Sequence, residues 1–244
     1  MDKTKRKTGT IGFVFVHGAG LNGNVWERVK EELGYPALNA DFPARAGDAE
    51  TRKELSLQDY ANAVRRQSER LEADRIVFVA HSLGGMVALQ AAEGLGERLA
   101  GFVAVGAAIP KPGGSFLSTL PWPQRLFLSA MMRIMGTKPP ESAIRAGLCH
   151  DLAPADADEI VCGIVPESYR VYVDRLDAAL PDVPKLYVRL EKDKELGLAL
   201  QNRMIRNLAP TQVRELETGH LPMLADPEGL RRILREFIAA VATG

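Results

Sequence analysis

The chain is poor in the residues that build metal, redox and nucleic-acid sites. Its 244 residues hold two cysteines, Cys149 and Cys162, outside any C-x-x-C pair. That argues against a zinc site and dithiol chemistry, and two buried, unpaired thiols are expected. The four histidines, His17, His81, His150 and His220, show no H-x-H or H-x-x-x-H spacing, so no metal is expected. No charge sign dominates. The 31 Lys and Arg balance 31 Asp and Glu without a basic stripe, and no nucleic-acid partner is expected. No apolar run approaches the roughly 20 residues that span a bilayer. Residues 1–10, MDKTKRKTGT, lack the apolar centre of a signal peptide and read as a disordered basic tail. The expectation is a cytoplasmic, enzyme-sized protein with no membrane partner; a homodimer is left open.

What is present is a rhythm of short apolar, β-branched runs alternating with helical patterns, the sign of a parallel sheet covered on both faces. The runs are IGFVFVH (11–17), ALNADF (37–42), RIVFVAH (75–81), AGFVAVGAA (100–108), KLYVRLE (185–191) and QVRELE (212–217). Residues 75–81 are the most apolar and are expected at the centre. Between the runs, NVWERVKEELG places Val25, Val29 and Leu33 on one helical stripe with Gly34 as a stop. SLQDYANAVRRQSERLE starts with Ser56 and Asp59 in a capping-box arrangement. In the helix LGLALQNRMIRNL, Leu200, Met204 and Leu208 share a side. The last helix opens with Asp226 as N-cap and Pro227 at its first position.

One segment breaks the rhythm. Residues 110–183 are proline-rich, too long for a structureless loop, and read as an inserted helical cap on a core made of residues 11–109 and 184–244. Within it, WPQRLFLSAMMRIM is apolar around nearly the whole helix. It is either buried in its own subdomain or a lid whose Phe127, Leu128, Met131 and Met132 line a pocket, with Leu221 from the core opposite.

Two loops carry chemistry. GFVFVHGAGLNGNVW sets Gly18, Gly20 and Gly23 in G-x-G-x-x-G after a strand, with Asp41 where a ribose-binding acid would belong, the opening of a dinucleotide fingerprint. A histidine directly before the first glycine is atypical of that fingerprint, and no Y-x-x-x-K occurs. The second loop, VFVAHSLGGMVA, holds Ser82 between a strand and a helix with Gly84 and Gly85 behind it, a nucleophile elbow in which Ala80 replaces the usual glycine. A serine hydroxyl needs a base, and that base an orienting acid. His220 follows the last strand. Asp193 follows 185–191 and is the preferred acid, with Glu191 and Glu195 as competitors and Asp41 more remote. Acyl transfer also needs two N–H donors for an oxyanion. The residue after the nucleophile, Leu83, supplies one, and Ala19 in the HGAG loop the other, with His17 bracing that loop. No cofactor is called for.

The elements FVFVHGAG, VAHSLGG, Asp193 and TGHLPMLADPE together resemble the α/β-hydrolase superfamily over residues 11–240, and most the small, cap-bearing plant methylesterases and hydroxynitrile lyases with their bacterial esterase relatives. The resemblance implies an α/β fold with a mostly parallel sheet of about six strands and helices on both faces. It implies Ser82 as nucleophile, His220 as base, Asp193 as orienting acid, and Ala19 and Leu83 as oxyanion donors. The lyases of that group carry a threonine after H-G and a lysine soon after the catalytic histidine. This chain has Ala19 and Leu221-Pro222-Met223, which favours a serine carboxylesterase acting on small to medium hydrophobic esters. A lyase, a carbon–carbon hydrolase or a ligand-binding protein on the same scaffold are the alternatives.

Overall fold

The computed structural model describes residues 9–45, 47 and 49–243. The expected tail over residues 1–10 lies outside them except for Gly9 and Thr10, and Thr10 is tied down, its N–H donating to Asp74 Oδ2 at 2.7 Å. Six strands form one parallel sheet: β1 (Ile11–Val16), β2 (Ala37–Ala40), β3 (Arg75–His81), β4 (Leu99–Val105), β5 (Lys185–Leu190) and β6 (Gln212–Leu216). Their spatial order is β2-β1-β3-β4-β5-β6. The helices are α1 (Glu27–Lys30), α2 (Ala49–Lys53), α3 (Leu57–Ser68), α4 (Gly84–Ala92), α5 (Trp122–Met135), α6 (Glu141–Gly147), α7 (Pro154–Gly163), α8 (Tyr169–Val173), α9 (Leu198–Leu208), α10 (Pro222–Ala225) and α11 (Pro227–Thr243).

Strand alternation divides the core in two. Val14, Val16, Phe78, Ala80, Phe102 and Ala104 face α3, α4 and α9. Phe13, Phe15, Val77, Val79, Val103 and Val105 face the other way, toward α1 and α11. Both faces are covered, so the central strands read as continuous apolar runs. α3 begins with the expected reciprocal cap: the Ser56 hydroxyl accepts from Asp59 N–H, and the Asp59 carboxylate accepts from Ser56 N–H. α11 begins with Gly229 N–H donating to Asp226 Oδ1 at 2.9 Å.

The strand order fixes where a site can form. From β1 the chain steps to β2 on one side, then returns to β3 on the other, with Val16 level with Ala80. At such a reversal the loops leaving the two carboxyl ends diverge and leave a crevice. The HGAG loop leaves β1 there and Ser82 leaves β3. Between β4 and β5 the chain holds four helices, α5 to α8, and no strand among the described residues.

Two local expectations need correction, and one needs an addition. The helix expected after β1 is a 3-10 turn over Gly23–Trp26 and the single turn α1. Gly34 at φ +78° ends it, and Pro36 disfavours a helical Tyr35. On α9, Met204 and Leu208 are buried and Leu200 half-buried, and Gln201 is buried beside them because its side-chain amide accepts from Leu190 N–H and donates to Leu190 O and Leu196 O at the end of β5. Cys149 is buried as expected, but Cys162 is exposed.

Candidate active site

The turn after β3 is so tight that Ser82 is forced to φ +51°, in the left-handed region that costs a residue with a Cβ roughly 1–2 kcal/mol. The turn is held by Ala108 N–H donating to Ser82 O at 2.9 Å and by Gly85 N–H at 3.0 Å. α4 starts directly behind it. A Cβ at Gly84 would collide with the backbone carbonyl of His17, so this position requires the absence of a side chain.

His220 sits in the loop between β6 and α10, and Asp193 in the loop after β5. His220 Nδ1–H donates to Asp193 Oδ2 at 2.8 Å, both side chains being essentially out of solvent. Asp193 Oδ1 accepts from the N–H groups of Glu195 and Leu196 at 2.8 and 2.9 Å. The carboxylate is therefore fixed on both oxygens, and the imidazole keeps the tautomer whose Nε2 carries a lone pair. Burial pulls the His220 pKa down. The charge and hydrogen bond of Asp193, helped by Glu195 and Asp151, outweigh it, so the net shift is upward.

The other carboxylates left open by the sequence have different partners. Glu191 pairs with Arg189 at 2.6 Å. Asp41 accepts Gly23 N–H at 2.7 Å, so the acid of the supposed dinucleotide fingerprint is spent on the loop itself. Glu195 reaches the same cavity as His220 but does not bond to it.

His17 and His81 flank the turn. His17 Nδ1–H donates to Gly18 O at 2.8 Å and Nε2 accepts Phe42 N–H at 3.3 Å, the expected brace on the HGAG loop. Burial, with the positive charge of Arg45, pulls His17 down to about 3. It is therefore neutral, and its 3.7 Å approach to Asp41 is not an ion pair. His81 Nε2–H donates to the backbone carbonyl of His220 at 2.7 Å, tying the residue before the serine to the His220 loop. Its pKa is well below the ordinary value, from burial and then from His220.

These two imidazoles bind protons in the unfolded chain that they refuse in the folded one. Stability is thus expected to fall as pH drops from about 6.5, the ordinary imidazole value, toward 3. For His17 the loss is on the order of 3 kcal/mol by about pH 4. Urea unfolding across this range checks it. His17→Gln, whose amide has no proton to gain, should show a shallower pH slope than wild type; equal slopes would remove His17 from the account.

The N–H groups of Ala19 and Leu83 have no acceptor among the described residues. Their neighbour Gly20, at φ +77°, is held on both sides by the segment between β4 and β5. Gly20 N–H donates to Glu167 Oε1 at 2.9 Å, and Gly20 O accepts Val165 N–H at 3.0 Å. The Glu167 side chain is fully buried. It also accepts the Tyr60 hydroxyl at 2.9 Å and pairs with Arg45. Neither His81 nor Glu167 is marked by a motif or a periodicity in the sequence.

Ser82, His220, Gly18, Ala19 and Gly20 line one cavity of about 200 Å³, closed by Leu21, Phe116, Leu120, Leu128, Met132 and Ile164. Of the expected pocket residues, only Leu128 and Met132 reach it. Phe127 and Met131 each precede one of these by one residue, a turn of about 100° away on a helix. Phe127 is accordingly 71 % exposed, and Met131 is half-buried outside the cavity. Leu221 is fully buried in the core on the α11 side, not in the cavity wall. Among the described residues, no group of three His, Cys, Asp or Glu side chains is placed to hold a metal ion.

A parallel sheet with a strained serine after its third strand, and a histidine and carboxylate after its last two, is matched by a known family. The sequence profile of the alpha/beta hydrolase family covers residues 13–233. The chain belongs to the alpha/beta hydrolase family. Methylesterase 7 of Arabidopsis thaliana is 24% identical over 262 residues, which span 97% of this chain and 98% of the plant protein. Among solved alpha/beta hydrolases, an extracellular enzyme from a Paenibacillus species superposes with a TM-score of 0.81 at 17% identity, covering 93% of this chain and 98% of that one. A pyrethroid hydrolase from Sphingobium faniae superposes with a TM-score of 0.78 at 20% identity, covering 96% and 100%. At these identities the structural likenesses establish the alpha/beta hydrolase fold. No helix among the described residues is long and apolar enough to cross a membrane.

Proposed function

We propose that the protein is a serine carboxylesterase. The observation that carries this is the Asp193–His220 hydrogen bond, with His220 opening into the cavity that Ser82 enters from its strained turn. His220 Nε2 takes the Ser82 hydroxyl proton as the oxygen attacks the ester carbonyl. The uncommitted Ala19 and Leu83 N–H groups receive the oxyanion, between walls that are mostly apolar and strengthen such donors. His220 then passes the proton to the leaving alcohol, activates water against the acyl-enzyme, and returns to its starting state as the acid leaves. No step draws on a cofactor.

The cavity supports a substrate class. Its volume and its Leu, Met, Phe and Ile walls suit small to medium hydrophobic esters, and α5 with its neighbours forms a cap over the serine. The names of two relatives, a methylesterase and a pyrethroid hydrolase, agree with ester chemistry. No lysine or arginine among the described residues lines the cavity, so a leaving cyanide would find no counter-charge there.

Hydrolysis of p-nitrophenyl esters of increasing acyl length tests the reading. Turnover of short and medium chains with a fall at long ones is the expected result; no turnover of any ester would overturn it. The pH profile adds a second check. Only neutral His220 is a base, and its pKa is raised above that of free imidazole, so kcat/KM should climb with pH through a midpoint displaced upward. A midpoint at or below the free-imidazole value would contradict the Asp193–His220 pairing.

A further inference from the structure

Glu195 is the acid that the proposed mechanism leaves unused. Its backbone N–H is spent on Asp193 Oδ1, at 2.8 Å, which turns the side chain out of the Asp193–His220 pair and into the cavity wall. There it packs against Gly147 at the end of α6, so closely that a Cβ on Gly147 would overlap its carboxyl. The carboxylate has no hydrogen-bond or ion-pair partner among the described residues. The charged groups that act on it are His220, which favours ionisation, and Asp193, which opposes it. Glu195 stays open to solvent at the rim of the cavity, and the partial desolvation of its carboxyl there is the largest influence and raises the pKa. An unpaired carboxylate at a solvent-open rim attracts a cation that comes with the ligand, through water-screened charge attraction.

Two further features of the cavity suit such a ligand. No lysine or arginine lines it among the described residues, so a protonated His220 is the cationic side chain of the lining that a charged ligand would meet, and neutral His220 leaves Glu195 unopposed. Phe116 and Tyr172 both line it, packed edge to face with centroids 5.5 Å apart, and aromatic faces accept ammonium groups.

We propose that the cavity is built for esters carrying a positively charged amine or quaternary ammonium group, with Glu195 as the specificity-determining residue. This rests on the esterase reading and narrows its substrate class. The same carboxylate would repel an ester bearing a second acid, and like-charge juxtaposition is an effective device for rejecting the wrong partner.

The test uses three p-nitrophenyl esters of matched length whose acyl chains end in a methyl, a trimethylammonium or a carboxylate group. They are compared at low salt in wild type and Glu195→Gln. The readout is the ratio of kcat/KM values within each protein, which a general loss of activity does not move. Wild type should favour the cationic ester over the neutral one by roughly tenfold and disfavour the anionic one, and Glu195→Gln should bring the three together. Equal ratios in the two proteins would overturn the proposal, including the case in which Glu195 merely supports the His220 imidazolium and all three esters slow alike. If no ester is turned over, the esterase reading fails separately. Calorimetry with phenyltrimethylammonium then decides: binding weakened about tenfold in Glu195→Gln supports the cation site, and equal binding or none overturns it.

Discussion

Ser82→Ala is expected to lower kcat on ester substrates by a factor on the order of 10⁴–10⁶ with little change in KM. The substitution removes the oxygen proposed to form the acyl bond and leaves the walls of the cavity in place, so binding should survive while covalent catalysis should not. The left-handed backbone of Ser82 is accessible to alanine at a similar cost, and its anchors are backbone hydrogen bonds from Gly85 and Ala108. The variant should therefore fold. Asp193→Asn should cost about 10⁴, through a different route. Asparagine can present an N–H to His220 Nδ1, which selects the tautomer with its proton on Nε2 and leaves no base facing the serine. Because the two residues act as a unit, the double variant should be hardly worse than Ser82→Ala alone. Steady-state kinetics on a p-nitrophenyl ester reads all three, and additive losses would show that Asp193 and Ser82 do not serve one step.

Glu167→Ala is expected to destabilise the fold by about 3–5 kcal/mol, the range for removing one partner of a buried ion pair. Three donors lose their acceptor together: Gly20 N–H, the Tyr60 hydroxyl and the Arg45 guanidinium. Arg45 is left as an unneutralised charge beside Phe42 and the buried His17. For a chain of this size the melting temperature should drop by roughly 10 °C. Activity of the folded fraction should fall too, because Gly20 is the residue after Ala19 and its N–H is fixed only by Glu167. Glu167→Gln keeps the acceptor for Gly20 and should recover part of kcat while recovering less stability, since the charge opposite Arg45 is still missing. Thermal unfolding and kcat measured on both variants separate the two roles. A Glu167→Ala protein as stable as wild type would show that the cluster contributes nothing net.

The parts of this architecture that were legible in the sequence are those encoded locally. Strand β3, the Ser82 turn and α4 are one continuous stretch, so the apolar run, the small residues and the serine identify each other. The capping box at Ser56 and Asp59 and the Asp226-Pro227 start of α11 are local in the same sense. The acid was less legible. Glu191, Asp193 and Glu195 differ by two residues at a strand end, and only the end of β5 at Leu190, with the backbone donors at Glu195 and Leu196, aims Asp193 at His220. Glu167 and His81 were not legible at all. The Glu167–Gly20 bond joins residues 147 apart, and no periodicity marks a polar group buried by tertiary contacts. The inner face of α5 was hidden for the opposite reason. Trp122, Leu126, Phe127 and Ile134 are exposed while Leu128 and Met132 face the cavity, so an all-round apolar helix carries no signal of which side turns in.

The central claim is that an acyl group passes through the Ser82 oxygen. Intact-protein mass spectrometry during single turnover of a slowly hydrolysed ester tests it directly. One acyl adduct per chain is expected, mapping to the peptide that contains Ser82, absent in Ser82→Ala and cleared at the rate of product release. Ester turnover without an adduct, or with the adduct on another residue, would contradict it.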